Sequence, residues 1–123
     1  MENKYEELSE RFLNYAVRII RFIERLQNSF VGRHISGQLF RAGSSAGSNY
    51  EEARAAESRA DFIHKMQVVL KELRESRFWL RLTQRSKLLP ENDPELLVLL
   101  QETEELAKIV AKSIITARNK SIK

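Results

Sequence analysis

The sequence contains no cysteine. Disulfide scaffolds, thiolate nucleophiles and cysteine-based zinc sites are therefore excluded. Four glycines and two prolines are too few for the many turns of an all-β fold. The longest uninterrupted apolar run, Leu96 to Leu100, falls far short of the ~20 residues that span a bilayer. The first residues, Met1 to Glu7, hold no apolar signal core, so the expected compartment is the cytoplasm. The glycine-containing stretch Gly43-Ser44-Ser45-Ala46-Gly47 lacks the spacing and lysine of a phosphate-binding loop. What remains is a chain of 123 residues, 42% hydrophobic and 31% charged. That is one domain, residues 1–123, large enough to bury its own core.

The net charge of +4 is modest, but its distribution is blocked. Residues 1–10 are acidic and residues 11–41 strongly basic. Residues 59–87 are basic again, residues 88–107 hold acids and no base, and the last sixteen residues are basic. The fold is expected to present faces of opposite sign.

Four helices follow from periodicity. The first is expected over Tyr5 to Gln27, on a seam of Tyr5, Leu8, Phe12, Tyr15, Ile19, Ile23, Leu26 and Phe30, widened by Leu13, Ala16 and Ile20. Asn28, Ser29 and Gly32 are expected to stop it. The second runs from Ile35 to Ala56 despite three internal glycines. Gly43 and Gly47, four apart, share a face on which another backbone can come close. The third starts at Ser58, a cap answered by Asp61, and carries Phe62, Met66, Val69, Leu73, Ser76, Leu80 and Thr83 inward. Phe78 and Trp79 add apolar bulk off that seam, the pattern of a helix with two partners. Leu88 to Asp93 is the connection. Asp93-Pro94-Glu95 opens the fourth helix, which runs to Arg118 on Leu96, Leu99, Thr103, Leu106, Val110, Ile114 and Ala117. Asn119 to Lys123 is expected to fray. Long helices with short connections give an all-α, antiparallel up-down-up-down four-helix bundle.

Candidate chemistry is sparse. Asp61 and His64 lie three apart on a helix, too few ligands for a metal site. Glu51 and Glu52 point about 100° apart on a helix and cannot share one site within a chain. Asn49 and Glu52 share a face and are expected to be polar groups that fix helix register against a neighbour. The basic stripes say more. Lys71, Arg74, Arg77, Arg81 and Arg85 step by three or four along the third helix, and Arg11, Arg18 and Arg25 step by seven along the first, with Arg21 nearby. Such rows suit phosphates, which arginine grips bidentately. The opposing reading is a solvated face with glutamate partners, Glu72 and Glu75 among them.

Three stretches carry a resemblance. They are Gly43 to Ala53, Ala56 to Lys65, and Leu70 to Leu82, the last containing Lys71, Glu72, Glu75, Ser76, Trp79 and Leu80. Together they resemble the bacterial four-helix-bundle family encoded in intervening sequences of 23S ribosomal RNA genes. Ala46 stands where that family usually has Ile. The resemblance implies an up-down-up-down bundle that assembles as a ring of five. The Phe78-Trp79-Leu80-Arg81 stretch is also similar to the accessory variability determinant of diversity-generating retroelements, which implies nucleic acid and a nucleic-acid enzyme as partners. The family brings no catalytic residues.

The expectation is a non-enzymatic homo-oligomer, pentameric by the resemblance. It binds RNA or DNA, or adapts a nucleic-acid enzyme, through Lys71, Arg74, Arg77, Arg81 and Arg85, with Arg18 and Arg25 second. No cofactor, metal or membrane is implied. Two alternatives stay open. One is a protein-interaction scaffold whose arginines pair with the acidic stretch Glu91–Glu105 of a neighbour. The other is a ribonuclease using Arg59 and His64, whose spacing is similar to the Arg-x4-His of HEPN-domain ribonucleases.

Overall fold

The computed structural model describes residues 3–121. Among them are four long helices and no strand: α1 (Lys4–Ile23), α2 (Phe30–Arg54), α3 (Arg59–Arg85) and α4 (Pro94–Ser121). A single 3-10 turn, Glu24–Leu26, ends α1. The helices run up, down, up, down. Helix α2 packs most closely on α3, α3 on α4 and α1 on α2. The α1–α4 seam is the loosest, and α1 and α3 lie diagonally apart. One core runs the length of the bundle, from Leu8, Phe12 and Tyr15 through Leu39, Val69 and Leu73 to Leu99, Leu106 and Val110.

Caps define where the helices start. The side chains of Asn3, Ser29 and Ser58 accept from the backbone N–H of Glu6, Gly32 and Asp61. Asp93 does the same for Leu96 at the head of α4. Three expectations shift here. Ser29 and Gly32 do not merely stop α1; Ser29 caps α2, and Gly32 sits in its first turn because a side chain there would strike the Leu26 carbonyl. Helix α2 therefore begins at Phe30, not at Ile35, and Phe30 is 77% exposed instead of closing the α1 seam. Helix α4 continues through Asn119 and Lys120 to Ser121; Ile122 and Lys123 lie outside the described residues.

The α1 seam also drifts. Phe22 is buried where Ile23 was expected, while Tyr5, Leu13 and Ile20 are exposed. A straight helix turns once per 3.6 residues, so a strict heptad rotates off the core. The glycines of α2 meet expectation. A Cβ at Gly47 would lie 3.3 Å from the Cβ of Phe12, and one at Gly43 would strike Ile19, so α1 rests directly on the α2 backbone there. Gly37 faces open space.

No described helix is long and apolar enough to cross a membrane.

Candidate nucleic-acid interface

The seam of α3 buries Met66, Val69, Leu73, Ser76, Leu80 and Thr83, as its spacing requires. The opposite face of the same helix therefore points to solvent. Lys71, Arg74, Arg81 and Arg85 are exposed on it. Phe78 and Leu82 are exposed among them, 57% and 37%. Arg74, Arg77, Phe78, Arg81, Leu82 and Arg85 line one shallow depression. Arg77 and Arg81 also reach the α3–α4 groove, with Gln84, Leu100, Gln101 and Glu104.

Which carboxylates neutralise these cations decides what the face can do. Glu72 and Glu75 do not lie on it. Both turn toward α2 and hold Arg41, Glu72 at 3.2 Å and Glu75 in a still closer contact. The Arg41 hydrogen bond pulls the Glu75 carboxyl below the usual range, assisted by the Trp79 indole N–H, which donates to it at 3.3 Å. Arg77 pairs with Glu104 of α4 at 3.3 Å, an exposed contact. Among the described residues no carboxylate lies within ion-pair distance of Lys71, Arg74, Arg81 or Arg85.

The row on α1 has a different setting. Arg11 donates to Glu102 at 2.6 and 3.1 Å and to Glu105 at 3.2 Å. Arg25 donates to both oxygens of Asp93, at 2.9 and 2.5 Å. Those hydrogen bonds hold Asp93 below the ordinary aspartate range. With their seven-residue spacing, Arg11, Arg18 and Arg25 face the acidic half of α4. Two of the three are engaged in closing the α1–α4 seam. Exposed Arg18 has no carboxylate at ion-pair distance among the described residues. Because α1 and α3 are diagonal, Arg18 and Arg25 do not extend the α3 row. The sequence showed the spacing of both rows but not these partners, which lie 68 to 94 residues away along the chain.

The remaining candidates do not converge on a site. Asp61 serves the α3 cap, where its carboxylate accepts from the Glu57 N–H at 3.4 Å and lies 3.7 Å from Lys65. His64 is exposed, and five helix positions set it about 140° from Arg59 on α3. His34 packs edge-on to Trp79, with ring centroids 5.8 Å apart. Among the described residues no three His, Asp or Glu side chains gather as metal ligands. Glu51 pairs with Arg54 at 3.4 Å and Glu52 lies 3.8 Å from Lys65, both at the surface. The expected register-fixing role of Asn49 and Glu52 is not what they do. Asn49 donates to the Ser45 carbonyl and hydroxyl of its own helix, and Glu52 is solvated. A buried polar contact does join two helices: the Tyr15 and Thr103 hydroxyls lie 2.6 Å apart across the α1–α4 seam.

A family model described as 23S rRNA-intervening sequence protein matches residues 5–112. Among solved structures, the chain is similar to a protein of unknown function from the S23 ribosomal protein family of Bacteroides thetaiotaomicron. The identity is 34%, over 87% of this chain and 97% of that one, with a TM-score of 0.78. No curated protein matches the chain. The chain belongs to the 23S rRNA-intervening sequence protein family.

Proposed function

We propose that this member of the family is a non-enzymatic, nucleic-acid-binding homo-oligomer whose contact surface is the outward face of α3. The observation that carries the reading is the row Lys71, Arg74, Arg81 and Arg85, which has no carboxylate at ion-pair distance among the described residues although acids are abundant nearby. A cationic row without close ion-pair partners supports attraction to a polyanion, and release of condensed counterions drives such binding. Arg77 joins the row when its exposed Glu104 contact exchanges for a phosphate.

Assembly supplies the rest of the affinity. The outer face of α1 exposes Leu13, Val17 and Ile20, one apolar strip opposite the core and away from the α3 row. A head-to-tail contact of that strip with a different face of a second copy is the kind that closes a ring, pentameric by the family resemblance, and it does not require the α3 face. Each added copy repeats the row, so weak phosphate contacts add by multivalency. The scaffold alternative is less well supported, because Asp93, Glu102, Glu104 and Glu105 already pair with arginines of their own chain.

The test is the paired substitution Arg77→Glu and Arg81→Glu, with oligomer size and helical circular dichroism monitored alongside. Affinity for RNA is expected to fall while both controls hold. Unchanged affinity removes α3 from the site. Cleavage of labelled RNA that disappears in His64→Ala would instead support the ribonuclease reading.

A further inference from the structure

We propose that the outward face of α3 takes a single-stranded polynucleotide, with a base seated on the Phe78 ring and the adjoining phosphates held by Arg74, Arg81 and Arg85. This rests on the nucleic-acid reading above and names the form of the ligand.

The warrant is the apolar centre of a cationic face. Phosphate grips alone would be served by arginines on a polar helix. Here Phe78, 57% exposed, lies in the middle of the row, and Leu82 extends the apolar surface one turn further. The ring is not loose. It packs against Trp79 edge to face, with centroids 5.1 Å apart and planes 81° apart, so its orientation is set before a ligand arrives. Trp79 is in turn tied to Glu75 and His34. A duplex buries its base faces and offers such a ring nothing flat and apolar. A single strand offers both bases to stack and phosphates to pair, at one-turn spacing along the same helix. Three arginines without an ion-pair partner, Arg74, Arg81 and Arg85, line the depression with the ring, and they match a polyanion and repel another basic surface. RNA and DNA strands both carry the two groups that this face takes.

The experiment measures binding of the full-length protein to fluorescent single-stranded RNA, single-stranded DNA, the matching duplexes and an abasic DNA strand. Wild type is compared with Phe78→Ala and Phe78→Trp. Wild type should prefer either single strand over its duplex and over the abasic strand. Phe78→Ala should lose about five- to 150-fold in single-strand affinity, the range of one stacked base, while Phe78→Trp keeps it. The salt dependence should not change in Phe78→Ala, because no charge is removed. Equal binding of single strand, duplex and abasic strand, or a Phe78→Ala variant that matches wild type, overturns the stacking proposal and leaves the phosphate reading standing. A Phe78→Ala protein of altered oligomer size would show that a subunit contact occupies the ring, and also overturns it. No binding of any polynucleotide at low salt overturns both readings.

Discussion

Arg25 and Asp93 hold each other through two parallel hydrogen bonds, joining the end of α1 to the head of α4. The same carboxylate caps α4 by accepting from the Leu96 N–H at 3.1 Å. Asp93 is 7% exposed, so neither contact is a casual surface pairing. An arginine that the sequence offers as a phosphate ligand is thereby occupied with closing the loosest seam of the bundle.

Asp93 should accordingly matter to stability more than to binding. Asp93→Ala removes cap and ion pair together and is expected to cost about 1–3 kcal/mol in denaturant unfolding. Asp93→Asn retains a capping oxygen and should cost less. Arg25→Ala should lower stability without weakening affinity for RNA. A binding defect in a fully folded Arg25→Ala protein would return Arg25 to the interface.

The glycines of α2 should respond with opposite signs to the same substitution. Gly32→Ala would drive a methyl into the Leu26 carbonyl, a backbone atom that cannot step aside, so destabilisation is expected. Gly37→Ala meets open space and gains helix propensity, a stabilisation of roughly 0.5–1 kcal/mol. Thermal unfolding of the two variants reads both signs. A Gly32→Ala protein as stable as wild type would contradict the tight α1–α2 junction.

Most of the architecture is legible in the sequence because α3 and α4 each bury one narrow stripe, and their starts carry strong caps at Ser58 and Asp93. The α1–α2 junction is not, because two residues separate the 3-10 turn from the Ser29 cap. Phe30 and Val31, the first residues of α2, are apolar yet exposed, so no inward pattern announces the start. The candidate site divides the same way. Helical spacing places Lys71 to Arg85 on one face. It says nothing of Glu72 and Glu75 being drawn off by Arg41, or of Arg11 and Arg25 being drawn in by α4, since those pairings exist only once the chain is folded.

Alkaline pH should loosen the bundle through its buried tyrosines. Burial pushes both Tyr15 and Tyr50 up to about 12. The unfolded chain releases these protons near the ordinary value of 10.0, while the folded chain still holds them. Their contribution is therefore fully present below pH ~10 and is lost as the pH rises toward ~12. Tyr15→Phe removes one such group and should flatten that loss, at a cost of about 1 kcal/mol at neutral pH from the missing Thr103 hydrogen bond. Urea unfolding from pH ~8, where the contribution is fully present, through the window from 10.0 to about 12 measures both effects. An equally steep alkaline loss in Tyr15→Phe would exclude Tyr15 as its source.

The central claim is that the α3 row is a phosphate track. The most direct measurement is the salt dependence of RNA affinity for wild type and for the triple variant Arg74→Ala, Arg81→Ala, Arg85→Ala. Micromolar or tighter binding at about 50 mM salt is expected for wild type, with log affinity falling steeply against log salt. Removing three phosphate contacts should reduce that slope by roughly two to three. A triple variant with the wild-type slope, or a wild-type protein that binds no RNA at about 50 mM salt, would contradict the account.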